Sequence, residues 1–477
     1  MNQDQRDGYG TAGFGAELAP DPTDYENDQE EPPAPPVPRS LEEAGLTESF
    51  VSDLILKTLY SRGTLTGTGL VGLIRLPFGL LDDLLLDLQR RRLMEVRGSD
   101  GHSRRGYNFD LTTEGRTRAR EALDTSGYVG PAPVPGDVYR NWIRKQSLRA
   151  ERISPEQIKR GFQHLVLEPD FVDRIGPGIN AGRSLFLFGP PGNGKTEVAY
   201  AISQILGTSI YIPRTVEVSG HPIALFDPYV HEVVDDGGQP EDGPGGPVIS
   251  TWPEFDPRFI RVRRPAVIVG GELTLDQLEL QYDAAAGLYS APPQMKANGG
   301  VFVIDDFGRQ RVRPRDLLNR WMIPLDKGLD YLALRTGQKL EVPFDCLVVF
   351  STNLNPADLV EEAFLRRIRY KLEMGNPSRE AYGEIFRRMC NRKGIDYDPA
   401  AVDYIFNHYY GGQGIEPRAC HPGDVISDLV DMAEFAGIGP TLSPELLADA
   451  CESYFVALPK PGEGAYDNPR MGDRRGR

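Results

Sequence analysis

Short apolar runs alternate with helix-like segments from about residue 155 onwards. The runs "SLFLF", "SIYIP", "PAVIV", "VFVID" and "CLVVFST" are typical of buried parallel strands, which are covered on both faces. Helical segments separate most of these runs, and that alternation is the pattern of an α/β domain. The sequence therefore predicts an α/β domain with a parallel sheet over residues 155–376.

The strand-like runs stop near residue 377, and helical patterns take their place. The segments "SREAYGEIFRRMCNRKG", "AAVDYIFNHYY", "GDVISDLVDMAEFAG" and "SPELLADACESYFVAL" all read as helices. They predict a small helical domain over residues 377–458. Residues 1–40, acidic and then proline-rich, and residues 459–477 are predicted to be disordered, because they hold few large apolar side chains. A polyproline ligand is the functional alternative for the first tail.

Residues 41–127 predict a separate small domain. Three helical patterns, the first with Thr47 as its N-cap and the third opened by Pro77, precede an alternating hairpin, "MEVRGSDGHSRRGYNFDLT", and a last helix. This order resembles a winged-helix domain. Residues 128–154 contain the glycines and prolines of a linker, and their large aromatic residues suggest that it packs against a neighbour: Tyr128, Tyr139 and Trp142.

The charges of this small domain do not favour DNA binding. Its third helix would be the reading helix, and it carries Asp82, Asp83 and Asp87, which repel phosphates. Only the wing is clearly basic, through Arg97, Arg104 and Arg105. Docking of a protein, or a structural role, is therefore preferred to DNA.

The composition limits the class of protein. The chain has 477 residues, a formal net charge of −16 and 40% apolar residues, as a globular protein does. It has no apolar run of about 20 residues and no secretory signal, so no membrane span is expected. Its four widely spaced cysteines are expected to be reduced thiols in a cytoplasmic protein.

A glycine-rich turn joins the first strand of the α/β domain to a helix. Its sequence, "GPPGNGKT", matches the phosphate-loop pattern G-x-x-x-x-G-K-[ST]. Backbone N–H groups and the helix N-terminus would bind phosphates, Lys195 would reach the outer phosphates, and Thr196 would bind Mg²⁺. The predicted nucleotide-binding residues are Gly189, Pro190, Pro191, Gly192, Asn193, Gly194, Lys195 and Thr196.

A second acidic element is needed to hold the metal. The buried-strand pattern Val301–Ile304 ends in Asp305 and Asp306, and a carboxylate there can support Mg²⁺ beside the phosphate loop. Without the upstream loop, the same residues would indicate only a strand that ends in an acidic turn.

Residues 155–458 resemble the AAA+ ATPases, on the form of the phosphate loop and on "VFVIDDF". The resemblance implies ATP and Mg²⁺ as ligands, with Asp305 facing the metal. The next position is usually a glutamate that orients the attacking water, and here it is Asp306. We therefore expect slow to moderate hydrolysis of ATP to ADP and phosphate.

Three further segments follow in the family's order. "VVFSTNLNP" resembles sensor 1, which makes Asn353 a candidate for orienting the water, although a strand-capping role would also explain it. "EEAFLRRIRYKL" resembles the segment of the arginine finger, with Arg367 as the best match and Arg366 as the alternate; a surface basic patch is the other reading. "GIEPRACHPGDVISDL" resembles sensor 2 and places Arg418 at the start of a lid helix.

Two segments extend this domain. "YLALRTGQKLEVP" predicts a hairpin around Thr336 and Gly337, which resembles the branch that includes MoxR-type chaperones and bacterial enhancer-binding ATPases. The long connection between the phosphate loop and Asp305 contains the exposed loop "GGQPEDGPGGP". It also contains Leu288, Tyr289 and Met295, which are interpreted as local core rather than as a substrate grip.

The resemblance implies a homo-oligomer, either a ring or a dimer, because an arginine finger acts on the neighbouring subunit's ATP. The first hypothesis is an ATPase that remodels or regulates a protein partner through movement of its helical lid. The alternative is a switch that hydrolyses poorly, or a DNA-binding regulator.

Overall fold

The computed structural model describes residues 32–99, 103–150, 152–182, 184–206, 209–235, 254–359 and 366–455. The chain divides into two compact units. The core unit comprises residues 1–190 and 195–374, and the helical unit comprises residues 191–194 and 375–477. Residues 1–31 of the predicted tail 1–40, the predicted tail 459–477 and the predicted loop 237–247 lie outside the described residues.

A five-stranded parallel sheet forms the centre of the core unit, in the order β11-β14-β17-β5-β18. Its strands are β5 (Ser184–Phe188), β11 (Ala266–Val269), β14 (Val301–Ile304), β17 (Leu347–Thr352) and β18 (Tyr370–Glu373). Successive side chains enter opposite layers: Leu185 packs in one core cluster and Phe186 in the other. Both faces are therefore buried, as the apolar runs predict, and the fold is α/β.

Helices cover this sheet. They are α6 (Pro155–Gly161), α7 (Pro169–Ala181), α8 (Lys195–Ile205), α9 (Pro293–Lys296), α10 (Pro314–Lys327) and α11 (Pro356–Leu359). Helix α8 follows β5 directly and buries Val198, Ala199 and Ile202 against the sheet. The helix that would receive the phosphates is thus fixed by its apolar face.

The prediction of a parallel strand at "SIYIP" is wrong. This segment, β6 (Ser209–Pro213), pairs antiparallel with β10 (Phe259–Arg263), which also pairs antiparallel with β9 (Val233–Asp235). All of β6 is buried, so its apolar run correctly indicates burial, but burial does not determine the strand's partner. The parallel sheet is completed instead by β18, which the sequence did not reveal because only one of its residues is buried.

A second five-stranded sheet combines one strand that precedes α8 with strands from between α8 and β14. The five-stranded sheet β12-β13-β8-β7-β4 contains β4 (Val134–Pro135), β7 (Thr215–Val218), β8 (His221–Ala224), β12 (Gln281–Asp283) and β13 (Leu288–Ser290). Tyr289 and Met295 are buried in this region, which confirms their interpretation as local core. The predicted hairpin is also confirmed: β15 (Leu329–Ala333) pairs antiparallel with β16 (Lys339–Pro343).

The N-terminal segment, residues 41–125, forms helices and a three-stranded sheet. The helices are α1 (Glu48–Arg62), α2 (Gly67–Ile74), α3 (Phe78–Arg90) and α4 (Thr113–Thr125), and the strands are β1 (Leu65–Thr66), β2 (Met94–Ser99) and β3 (Tyr107–Leu111). The predicted helices and the β2–β3 hairpin are confirmed. Thr47 is the N-cap, since its Oγ1 accepts a hydrogen bond from Phe50 N.

The residues on either side of the N-terminal segment are packed rather than loose. Pro35 is buried and its carbonyl accepts a hydrogen bond from Asp256 N, so the proline-rich residues 32–40 are not a disordered tail. The predicted linker contains β4 and α5 (Gly136–Lys145), and its aromatic residues Tyr128, Tyr139 and Trp142 are buried, which confirms that it packs against its neighbours.

The helical unit has its own core of aromatic and aliphatic side chains. Its helices are α12 (Arg379–Lys393), α13 (Pro399–Ile405), α14 (Gly411–Gln413), α15 (His421–Ala436) and α16 (Pro444–Tyr454). Within the part of the chain that the structure describes, no helix is long and apolar enough to cross a membrane.

Candidate nucleotide site

The phosphate loop connects β5 to α8, and its glycines adopt conformations that side chains avoid. Gly189, Gly192 and Gly194 have φ values of 141°, 80° and 78°. A Cβ atom on Gly189 would lie 2.2 Å from the carbonyl oxygen of Met374, so no larger residue fits. The N-terminus of the 11-residue helix α8 follows at once, which gives the loop the geometry of an anion site.

Lys195 lies over this loop. Its Nζ donates to the carbonyl oxygens of Gly189, at 3.0 Å, and of Pro190, at 2.8 Å. The side chain is only 6% exposed, so its ammonium group is held close to the loop backbone. Phosphate oxygens could replace these carbonyl acceptors with a stronger, charge-assisted bond.

Thr196 and Asp305 meet although 109 positions separate them in the sequence. Thr196 Oγ1 donates to Asp305 Oδ2 at 2.8 Å. Thr196 is in the first turn of α8, and Asp305 follows the carboxyl end of β14. Hydroxyl and carboxylate oxygens are the hard ligands that Mg²⁺ prefers, so these two residues fit a magnesium ion.

Asp306 and Asn353 form the second contact of the site. Asn353 Nδ2 donates to Asp306 Oδ1 at 3.0 Å, and the two residues follow the neighbouring strands β14 and β17. Asp306 has φ = 48°. This left-handed conformation favours Asp and Asn over longer side chains, which gives a physical reason for an aspartate at this position.

The tip of the phosphate loop, Pro191–Gly194, is bonded within the helical unit. Asn193 Nδ2 donates at 3.0 Å both to the carbonyl oxygen of Gly375 and to Asn376 Oδ1, and Asn193 Oδ1 accepts from Ala419 N at 3.1 Å. Cys420 N donates to the carbonyl oxygen of Gly192 at 2.9 Å. The side chain of Asn193, predicted to bind nucleotide, is therefore occupied with residues of the helical unit.

Arg418 lies beside the same tip. Arg418 is in the turn just before α15. Its Cδ atom is 3.6 Å from the position that a Cβ atom on Gly192 would occupy. The next buried group is His421, whose pKa burial lowers to about 4, helped by the charge of Arg418. His421 is thus neutral near pH 7, and Arg418 carries the positive charge of this turn.

The candidate arginine finger has a partner in its own chain. Arg367 Nε donates to Asp326 Oδ2, near the end of α10, at 2.9 Å. The two side chains are 29% and 48% exposed, and Arg366 is exposed next to them. The phosphate loop and the ends of β14 and β17 thus bring together Lys195, Thr196, Asp305, Asp306 and Asn353. Arg367 instead forms an ion pair with α10.

Sequence reasoning missed two residues that contact the candidate site residues. Asp326 pairs with Arg367 across 41 positions, and Gln310 bonds to the backbone of Asp305 and Asp306. No sequence signal identifies Asp326. Gln310 lies four positions after Asp306, which was the available hint.

One family model and several solved structures are similar to parts of this chain. A family model described as "Domain of unknown function (DUF8689)" matches residues 378–453, which hold α12 to α15 and most of α16. No curated protein matches the chain.

Among solved structures, the chain is similar to the RuvB Holliday junction branch migration motor of Thermotoga maritima, with 15% identity and a TM-score of 0.32 over 65% of this chain and 73% of that one. It is also similar to NtrX from Brucella abortus in complex with ADP, with 15% identity and a TM-score of 0.35 over 80% of this chain and 63% of that one. Both TM-scores are too low to carry an argument about function.

Proposed function

We propose that this protein is an ATPase of the AAA+ type, which binds Mg·ATP at the phosphate loop and hydrolyses it to ADP and phosphate. The observation that carries the proposal is the contact between Thr196 and Asp305, 2.8 Å long, beside a glycine loop that opens a helix. A hydroxyl and a carboxylate placed there are what a magnesium nucleotide requires.

Each residue then has a chemical role. The loop amides and Lys195 bind the β- and γ-phosphates, and Thr196 and Asp305 would hold Mg²⁺, which supplies neutralisation of phosphate charge. Asp306, oriented by Asn353, accepts a proton from water as the water oxygen bonds to the γ-phosphorus. The bond from that phosphorus to the bridging oxygen breaks, and ADP leaves with the electron pair.

The helical unit would act as the lid. Because Asn193 and the carbonyl of Gly192 are bonded within the helical unit, a phosphate that shifts the loop tip also acts on that unit. Arg418, beside Gly192, would sense the phosphates. In this proposal the lid moves during turnover and remodels or regulates a protein partner, in a homo-oligomer whose Arg367 completes the neighbouring site.

Thr196→Val tests the magnesium site, because valine keeps the branched shape and removes the hydroxyl. We expect the Mg²⁺ concentration needed for half-maximal phosphate release to rise, or turnover to fall, by about 10–100-fold, as loss of a group that supports a metal does. Steady-state phosphate release is measured over a Mg²⁺ series. Thr117→Val, at an exposed threonine of α4, is the matched control and should behave as wild type. A normal Mg²⁺ dependence of the Thr196 variant would count against the proposal.

A nucleotide switch with poor hydrolysis is the second candidate, and Asp306 in place of glutamate favours it. A protein of this kind would bind ATP but would release no phosphate. The N-terminal segment, which resembles a winged helix, would then contact the partner.

DNA is the less favoured partner for that segment. Arg104 of the wing pairs with Asp82 of α3 at 2.6 Å, and Arg97 pairs with Glu95 and with the buried Asp110 at 3.1 Å. These ion pairs reduce the positive charge available to phosphates. DNA binding that weakens steeply with salt would favour the regulator.

A further inference from the structure

The backbone at Asp306 is strained in a way that its neighbours must maintain. Its φ of 48° lies in the left-handed region, which is uncommon for a non-glycine residue and persists only where the surroundings impose it. Backbone bonds fix the residues on both sides: Asp305 N donates to the carbonyl of Val269 at 2.8 Å, and Phe307 N donates to the carbonyl of Ser351 at 2.7 Å. These bonds hold the two ends of the turn at the strands.

A side-chain amide adds bonds to the backbone inside the turn. Gln310 Nε2 donates to the carbonyl oxygens of Asp305, at 2.9 Å, and Asp306, at 3.3 Å. Its Oε1 accepts from Gly308 N at 2.8 Å. The residue is 8% exposed, so these bonds are only partly accessible to water. Gln310 thus bonds to three backbone groups of the turn that presents Asp306, one of which, the Asp306 carbonyl, also accepts from Arg309 N at 2.9 Å.

We propose that Gln310 is a positioning residue for ATP hydrolysis, which holds the Asp306 carboxylate in its place beside Asn353. The inference rests on the proposed ATPase function and deepens it. Gln310 bonds to the backbone of the turn and, at 3.5 Å, to the carbonyl oxygen of Gly270. Among the described residues it has no hydrogen bond to the phosphate loop or to Lys195, so we expect it to act mainly on the chemical step. Its effect passes through Asp306, and it vanishes when the Asp306 carboxylate is gone.

Gln310→Met tests this inference in the full-length protein, because methionine has nearly the same length and volume but removes the amide's donors and acceptor. We expect kcat for ATP hydrolysis to fall by about 10–100-fold, the usual effect of losing a group that orients a reacting residue, with KM for ATP unchanged. In an Asp306→Asn background the same substitution changes kcat little, since the carboxylate that it positions is absent. Gln338→Met, at an exposed glutamine of the β15–β16 turn, is the matched control.

Several results would overturn the inference. They are a kcat equal to that of the Gln338 variant, an equally large fall in the Asp306→Asn background, or a rise in KM that matches the fall in kcat. Gln310→Glu, which keeps the shape and one acceptor, replaces the methionine variant if that variant does not fold. If the wild-type protein hydrolysed ATP no faster than the Lys195→Ala variant, the proposed ATPase function would be contradicted. The positioning role of Gln310, which depends on it, would then be contradicted as well.

Discussion

Asp306→Asn is expected to lower kcat for ATP hydrolysis by about 10²–10⁴-fold, the range that a positioned general base supplies. Asparagine keeps the shape of the side chain, tolerates the left-handed backbone and can still contact Asn353 after an amide rotation. It cannot accept the proton of the attacking water. Binding of Mg·ATP should remain, because the loop, Lys195 and the Thr196–Asp305 pair are untouched.

Phosphate release and nucleotide affinity are measured together for this variant. Asp173→Asn, at an exposed carboxylate of α7, is the matched control and should keep wild-type kcat. A wild-type kcat for Asp306→Asn would show that Asp306 is not the base. Loss of ATP binding would mean that the residue supports the site rather than the chemical step.

Arg367→Ala is expected to lower kcat by about 10³–10⁵-fold if Arg367 is an arginine finger, as such residues do in other NTPases. The ion pair with Asp326 does not prevent this role. Both side chains are partly exposed, and an exposed pair contributes only about 0–1 kcal/mol, so the guanidinium can leave Asp326 for a neighbouring phosphate.

Three further variants decide what Arg367 does. Asp326→Ala removes the ion pair but leaves the arginine, so turnover should persist; a fall as large as that of Arg367→Ala would reduce Arg367 to a structural role. Arg366→Ala tests the alternate finger. Mixing Arg367→Ala with Lys195→Ala subunits should restore turnover. The Arg367→Ala subunit supplies an intact phosphate loop, and the Lys195→Ala subunit supplies the arginine. No gain on mixing would contradict a finger acting between subunits.

The sequence predicts those parts of the fold and site that are contiguous in the chain. The glycines, lysine and threonine of the phosphate loop follow one another between a buried strand and a helix, so local chemistry suffices to recognise them. The strands β14 and β17 were recognisable because both faces of each are buried, which produces unbroken apolar runs. Their order in the sheet then brings Asp306 and Asn353 together.

The remaining features depend on contacts that no local pattern records. The apolar run of β6 does not reveal that its partner is the antiparallel β10. The bond from Asn193 to Asn376 spans 183 positions, and that from Arg367 to Asp326 spans 41. Such pairs are set by the tertiary fold, and their residue types are common on protein surfaces.

Titration calorimetry with Mg·ATP on the full-length protein tests the central claim most directly, because all of the proposed chemistry requires the phosphates to bind this loop. We predict saturable heat at one site per chain, its loss in Lys195→Ala, and its retention in Lys159→Ala, which removes an exposed lysine from α6. No heat with wild-type protein that circular dichroism shows to be folded, or equal heat with Lys195→Ala, would contradict a nucleotide site at this loop.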